Sequence, residues 1–194
     1  MSPADEHRRV AATFTDRVRG TTDWDVPAPV EGWTARDVVD HLVTWLPAFL
    51  EGHGVHGVGP GGVSAADDPV AAWLAHAASV QALLDGRGAA QQVEDPRLGA
   101  WAVGDLVDRI YTTDVFMHTW DLARATGQDD TLDPDRCAAM LAAMEPMEDV
   151  IRGSGQYGPR VEVPADADAQ TRMLGFIGRD PLWSAPPTRS TPST

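Results

Sequence analysis

The sequence predicts an all-α protein, an antiparallel bundle of helices, and three observations carry that reading. Apolar residues recur at the three-and-four spacing of a helix face in one segment after another. Those segments open on side chains that cap helices and close on glycine. Strand-type alternation is weak, and there are no internal repeats.

In chain order, the first helix covers about Ala4 to Arg19, with Val10, Phe14 and Val18 inward and Gly20 as its stop. A Pro-bearing loop, Thr21 to Gly32, follows. Thr34 and Asp37 have capping-box spacing, and Trp33 with Val38 has the spacing of a hydrophobic staple, so a second helix starts there. Its stripe is Val38, His41, Leu42, Trp45 and Phe49, which sets an imidazole on an apolar face. Pro47 removes a backbone donor and bends the last turn. Glu51 to Ala66 is Gly-rich and aperiodic, hence a loop, in which His53 and His56 are either a ligand pair or simply solvated. Asp68-Pro69 caps a third helix with Val70, Trp73, Ala77, Val80 and Leu84 inward, His76 at the boundary and Gly86 at the end.

A loop from Arg87 to about Ala102 leads into one long helix, Gly104 to Gly127. Asp133-Pro134 opens a fifth, with Cys137, Met140, Leu141, Met144 and Ile151 inward, a kink at Pro146 and an end at 153–155. Val161 to Pro164 reads as a short extended piece, and Asp168 to Ile177 as a last short helix closed by Gly178. Residues 1–183 are thus expected to form a single helical domain, and 184–194 have the composition of a disordered tail.

With 29 acidic against 15 basic residues the formal charge is −14, which argues against a phosphate backbone as partner. The basic residues are all Arg, a bias that fits a GC-rich genome. The lone Cys137 excludes an intrachain disulfide and fits a reducing cytosol; a small buried hydrophobe is the simpler reading of it than a reactive thiol. The N-terminal stretch has no signal-type apolar region, and no apolar run reaches the ~18 residues of a membrane span. A soluble cytoplasmic protein, monomer or homodimer, is expected.

The long helix holds the chemistry. At about 100° per residue, Val103, Leu106, Val107, Ile110, Met117 and Ala125 share one stripe, and Asp114, His118 and Asp121 lie on it too. Buried unpaired, each polar group there costs several kcal/mol, so each needs a partner or a cation. Asp114 and His118 are four apart and point to neighbouring spots. Two readings stand open, a metal site and a self-satisfied Asp–His pair. His41 on a facing helix completes a set of two imidazoles and one carboxylate, with coordination positions left open as in a working site. Zn²⁺ is the first expectation, and Ni²⁺, Fe²⁺ and Mn²⁺ suit the same donors. Asp121 is either a catalytic base or a partner behind the ligands. Arg124 and Trp45 are candidate contacts for a bound small molecule, against the plainer readings of a solvated charge and a core aromatic. The same choice applies to Arg109, Trp33 and Trp120.

Two segments, Gly32-Trp-Thr-Ala-Arg-Asp-Val-Val-Asp-His41 and Asp114-Val-Phe-Met-His-Thr-Trp-Asp-Leu-Ala-Arg-Ala-Thr-Gly127, resemble hallmarks of the DinB-like superfamily. More narrowly, they are similar to its actinobacterial branch related to the N-terminal domain of mycothiol-dependent maleylpyruvate isomerase, and the stretch from Ala167 to Pro181 resembles that branch's ending. The resemblance implies a four-helix bundle of up-down-down-up topology, here with extra C-terminal helices. It also implies a divalent metal on one His of the second helix and on an acid-x-x-x-His pair, positions that match His41, Asp114 and His118. The isomerase carries Glu at the acidic position, where this chain has Asp114. The implied activity is that of a thiol-dependent transferase or isomerase acting on a small electrophile, with mycothiol as cosubstrate; charge and the lack of an apolar span argue separately against a nucleic-acid or membrane partner. The alternative is a non-catalytic, metal-dependent small-molecule binder or sensor.

Overall fold

The structure, a computed structural model, describes residues 1–153 and 155–186. It is mostly helical. Helix α1 spans Pro3–Gly20, α2 Ala35–Gly52 and α3 Pro69–Asp85. A small hairpin, β1 Gln92–Asp95 and β2 Gly99–Ala102, precedes a helical run made of α4 Val103–Val107, a π turn Asp108–Thr112 and α5 Thr113–Thr126. Helices α6 Pro134–Met144, α7 Glu148–Gly153 and α8 Ala169–Phe176 complete the described chain.

The helix starts follow the expected cap chemistry. Thr34 and Asp37 form a reciprocal capping box on α2, while the Asp68 side chain caps α3 and the Asp168 side chain caps α8. Ser2 caps α1 in the same way. Pro146 sits in a 3₁₀ turn between α6 and α7, as its missing donor requires. Pro47, by contrast, is carried inside a helix that continues to Gly52.

Helix α1 packs on α3 and α5, and α2 packs on the same two. One continuous apolar core lies between them, with Phe14, Leu42, Leu46, Trp73, Leu106 and Trp120 shut off from solvent. Each such side chain contributes about 2 kcal/mol through burial. On the other side, α6 packs on α8, and the C-terminal segment reaches α5 through side-chain bonds such as those from Arg124 to the Pro181 and Trp183 carbonyls. Helix α5 is therefore covered almost all round, with Val115 to Ala123 all buried. Among the described residues, no helix is long and apolar enough to cross a membrane.

Several expectations are corrected. The predicted loop 87–102 contains the hairpin, registered Gln92 to Ala102 and Asp95 to Gly99. Its signal is absent from the sequence because only Val93 is buried, so no apolar alternation is written into it. Its turn is held by the Asp95 carboxylate, which accepts the Arg97 and Leu98 N–H groups at 2.8 and 2.9 Å. The inward side of α2 is Val39, Leu42, Leu46 and Leu50, so His41, Trp45 and Phe49 stand half-buried on its flank. Residues 161–164 are irregular, with the Val161 N–H donating to the Gly175 carbonyl at 2.9 Å. His76 is no boundary residue. It is fully buried, because α3 is covered by both α1 and α2 and Tyr111 offers it a hydroxyl at 2.8 Å. The long helix is interrupted by its π turn, a widened turn that adds a residue and rotates the face. Tyr111 and Thr112 are buried in it. Of the expected tail 184–194, Ser184 to Pro186 are irregular and exposed, and the rest lies outside the described residues.

Candidate metal centre

Helix α2 contributes His41, set two turns in from the capping box; α5 contributes Asp114 in its first turn and His118 one turn later. The α2–α5 packing brings them together. His41 Nε2 lies 3.1 Å from Asp114 Oδ2, and His118 Nε2 lies 3.4 Å from Asp114 Oδ1. One donor atom from each of the three residues falls within 4.8 Å of the others, a group able to hold a metal ion. The His41 side chain is 32% exposed and those of Asp114 and His118 are 17% and 7%, so the cluster faces outward past His41.

Two of the three are fixed from behind. Trp45, one turn after His41, donates its Nε1–H to Asp114 Oδ2 at 2.9 Å. The His118 Nδ1–H donates to Asp121 Oδ2 at 2.8 Å, which sets the tautomer and leaves Nε2 as the ligating atom. Arg179 then holds Asp121, with Nε 2.8 Å from Oδ1 and Nη2 3.0 Å from Oδ2. The Trp33 ring covers the imidazoles, 5.0 Å from that of His41 and stacked at 5.7 Å and 18° on that of His118.

Charge follows this geometry. Burial raises the Asp114 carboxyl, but His118, His41 and the Trp45 bond more than offset it, and the net direction is down. Burial likewise opposes ionisation of Asp121, yet Arg179 and His118 bring it to about 2. For His118, burial pulls the imidazole down while Asp114 and Asp121 together push it above its ordinary value. The centre is therefore a pair of carboxylates, Asp121 answered by Arg179 and Asp114 by His118. Two imidazole nitrogens and a carboxylate suit a divalent transition ion, which on binding would take the place of the proton on His118 as the charge facing Asp114.

Two uncharacterized proteins of Mycobacterium tuberculosis, from strains CDC 1551 and H37Rv, are each 28% identical to this chain over 189 residues, covering 92% of it and 98% of the relative. No family model and no solved structure matches.

Other expected site residues fall elsewhere or change role. Asp121 is fully buried, with Oδ2 shared by His118 and Arg179 and Oδ1 bonded to Arg179, so of its two expected roles the structure gives it that of a partner behind His118. Arg124 does not reach the cluster: its guanidinium binds Asp130 at 2.8 Å and the carbonyls of Trp183 and Pro181, tying down the C-terminal segment. Trp45 is in the site, as the donor to Asp114 and not merely as a lining ring. Trp120 is plain core, and Arg109 lies over the Trp101 ring at 5.4 Å. His53 bonds the Phe49 carbonyl at 2.8 Å and the Asp95 carboxylate at 3.1 Å, clasping the hairpin to the end of α2, and His56 is exposed.

Sequence reasoning missed Arg179. Its signal was indirect: a carboxylate at position 121 on an apolar stripe demands a cation, and every cation in this chain is an Arg. Which one answers was not written in the local pattern.

Proposed function

We propose that this protein holds a divalent metal ion on His41, Asp114 and His118 in a DinB-like four-helix bundle, and that it acts as a thiol-dependent transferase or isomerase on a small electrophile. The observation that carries the metal reading is the convergence of the two Nε2 atoms and the Asp114 carboxylate within 4.8 Å. The neighbour relations of α1, α3, α2 and α5 suit the up-down-down-up topology. The three segments that resemble the superfamily hold the three candidate ligands together with Asp121 and Arg179. Zn²⁺ fits these donors best, since nothing in the set is a soft ligand and tetrahedral N/O sites are common for it; Ni²⁺, Fe²⁺ and Mn²⁺ are the other candidates. Mycothiol is the thiol that the resemblance to the isomerase branch implies.

Three protein ligands leave a position for a visitor. A bound divalent ion supplies a lowered proton affinity to a thiol in that position and polarisation to a substrate oxygen. The chain's own residues do the rest. Asp121 and Arg179 keep His118 in one tautomer and one orientation. Trp45 fixes one oxygen of Asp114. Trp33 shields both imidazoles from water on one side, and on its outer side lies an open groove of about 610 Å³ walled by Pro27, Val30 and Trp183, with room for the remainder of a substrate.

A second reading, a non-catalytic metal-dependent binder or sensor, is favoured by one observation: Asp121, the carboxylate nearest the cluster after Asp114, is committed to Arg179. Elemental analysis of untagged protein tests the shared metal claim, with one equivalent expected and His41→Ala expected to lose it. Absence of stoichiometric metal overturns both readings. Thiol-dependent consumption of monochlorobimane, abolished in His118→Ala, then separates the transferase from the binder.

A further inference from the structure

The two oxygens of Asp114 differ in what they meet. Oδ1 faces His118 Nε2 at 3.4 Å and Oδ2 faces His41 Nε2 at 3.1 Å, so an ion set between the imidazoles would by distance alone meet both oxygens. What separates them is Trp45. Its indole N–H donates to Oδ2 at 2.9 Å, while Oδ1 stays turned to His118.

The donor is held by its own surroundings. Trp45 follows His41 by one turn of α2, so one helix supplies both a candidate ligand and the group that grips the neighbouring one. The half-buried indole packs against the ring of Phe49 at 6.3 Å and that of Tyr111 at 5.7 Å and 58°. Tyr111 is fully buried in the π turn, and its hydroxyl is bonded to His76 Nε2 at 2.8 Å, so it cannot make way for a swing of the indole. Asp114 stands one turn beyond Tyr111 in the same helical run, so the ring that backs the donor and the carboxylate that accepts from it are placed together. An indole carries one donor and no acceptor or metal-ligating atom. Trp45 therefore acts on the centre through Asp114.

We propose that Trp45 is a positioning residue that holds Asp114 to one-oxygen ligation: by engaging Oδ2 it leaves Oδ1 to the ion, beside the Nε2 atoms of His41 and His118, and keeps a coordination position open. This rests on the metal-centre reading. The physical step is a competition for one oxygen. If Oδ2 turned to the cation as well, the carboxylate would give up a charge-assisted bond from a donor that is packed in place and has no other acceptor beside it. The consequence lies in the donor count. Two nitrogens and one oxygen leave the last corner of a tetrahedron to a small molecule, whereas a chelating carboxylate fills that corner from the protein side. The indole thus decides whether the centre is closed by its own chain or open to a visitor.

The test reads the ligation mode of the full chain directly, by Zn²⁺-bound minus metal-free infrared difference spectra of protein labelled with ¹³C at aspartate Cγ. One-oxygen ligation widens the splitting between the antisymmetric and symmetric carboxylate stretches, and chelation narrows it. Wild type is expected to show the wide splitting. Trp45→Phe, which keeps a ring against Tyr111 and removes the N–H, is expected to show the narrow one. With Co²⁺ in the site and the thiolate-to-cobalt charge-transfer band as readout, 2-mercaptoethanol is expected to bind Trp45→Phe about tenfold more weakly, because Oδ2 contests its position. A wide splitting and undiminished thiol affinity in Trp45→Phe overturn the inference while leaving the metal centre standing. Failure of the wild type to bind either ion overturns the metal-centre reading, and this inference with it. Should Trp45→Phe not fold, the wild type answers alone. A narrow splitting there, or loss of the hydrogen-bonded shift of the Trp45 indole N–H when Zn²⁺ binds, overturns the proposal.

Discussion

Arg179 grips Asp121 with two nitrogens across 58 residues of chain, Nε to Oδ1 at 2.8 Å and Nη2 to Oδ2 at 3.0 Å. The contact joins the last described segment to the middle of α5 and ends, through Asp121, on the Nδ1 of His118. A single bidentate pair thus serves both packing and the orientation of a candidate ligand.

The two roles separate by mutation. Asp121→Asn or Arg179→Met alone leaves a charge buried without its partner and is expected to cost about 3–5 kcal/mol of stability by urea denaturation. Metal affinity, read by competition with a chromophoric chelator, is expected to fall about 10–100-fold in either. In the double variant Asp121→Leu, Arg179→Met, much of the stability should return while the affinity stays low. A double variant with wild-type affinity would show that His118 needs no support from behind.

Acid sensitivity is expected from a different pair. His7 on α1 and His76 on α3 are fully buried, and each has a ring nitrogen without a partner, Nε2 and Nδ1 respectively. Burial first, then the neighbouring positive charge, depresses them from 6.5 to about 4 and about 3. Such groups are neutral in the fold and take up a proton on unfolding below pH 6.5, so the unfolded state binds more protons and stability falls as pH drops. Above pH 6.5 they contribute no slope. Between pH 7 and pH 5 each is expected to remove about 2 kcal/mol. His118, whose folded value is raised, contributes stability that is fully present below 6.5 and is lost as pH rises through that higher value, so it adds no slope below 6.5 and runs against the loss from His7 and His76 between pH 6.5 and pH 7. Urea midpoints at pH 7 and pH 5 check this, with His7→Leu expected to show about half the wild-type loss. An unchanged loss in that variant would remove His7 from the account.

Cys137 is expected to be silent. It is fully buried on α6, and burial first, with Asp133 and Asp168 behind it, pushes the thiol up to about 12. A disulfide reagent should leave it untouched in native protein over hours and titrate one thiol in denaturant. Rapid native reaction would mean that α6 opens readily, and would also give the bimane assay a background that must be subtracted.

Much of the helical layout is written locally. Thr34 with Asp37, Asp68-Pro69 and Asp133-Pro134 announce helix starts because a cap is a bond between near neighbours, and the structure places each one where the sequence does. The convergence of His41, Asp114 and His118 was legible for another reason: a polar group where Leu belongs stands out against the apolar period. The hairpin was not legible, since its strands bury one side chain and are held by Asp95. Nor was the π turn, a local widening that no period of 3.6 anticipates and that lets Tyr111 meet His76.

By itself, then, the sequence determined where most helices begin, most of the faces they bury, and which polar groups stand on or beside those faces. Only the tertiary structure decided who answers them. Arg179 answers Asp121 from a segment held by a contact between two glycines, and Arg124 is drawn away to Asp130 and to the carbonyls of Pro181 and Trp183. The reason is physical: periodicity and capping act within a few residues, whereas a buried charge selects its partner by distance in space, and that distance exists only once the helices have packed.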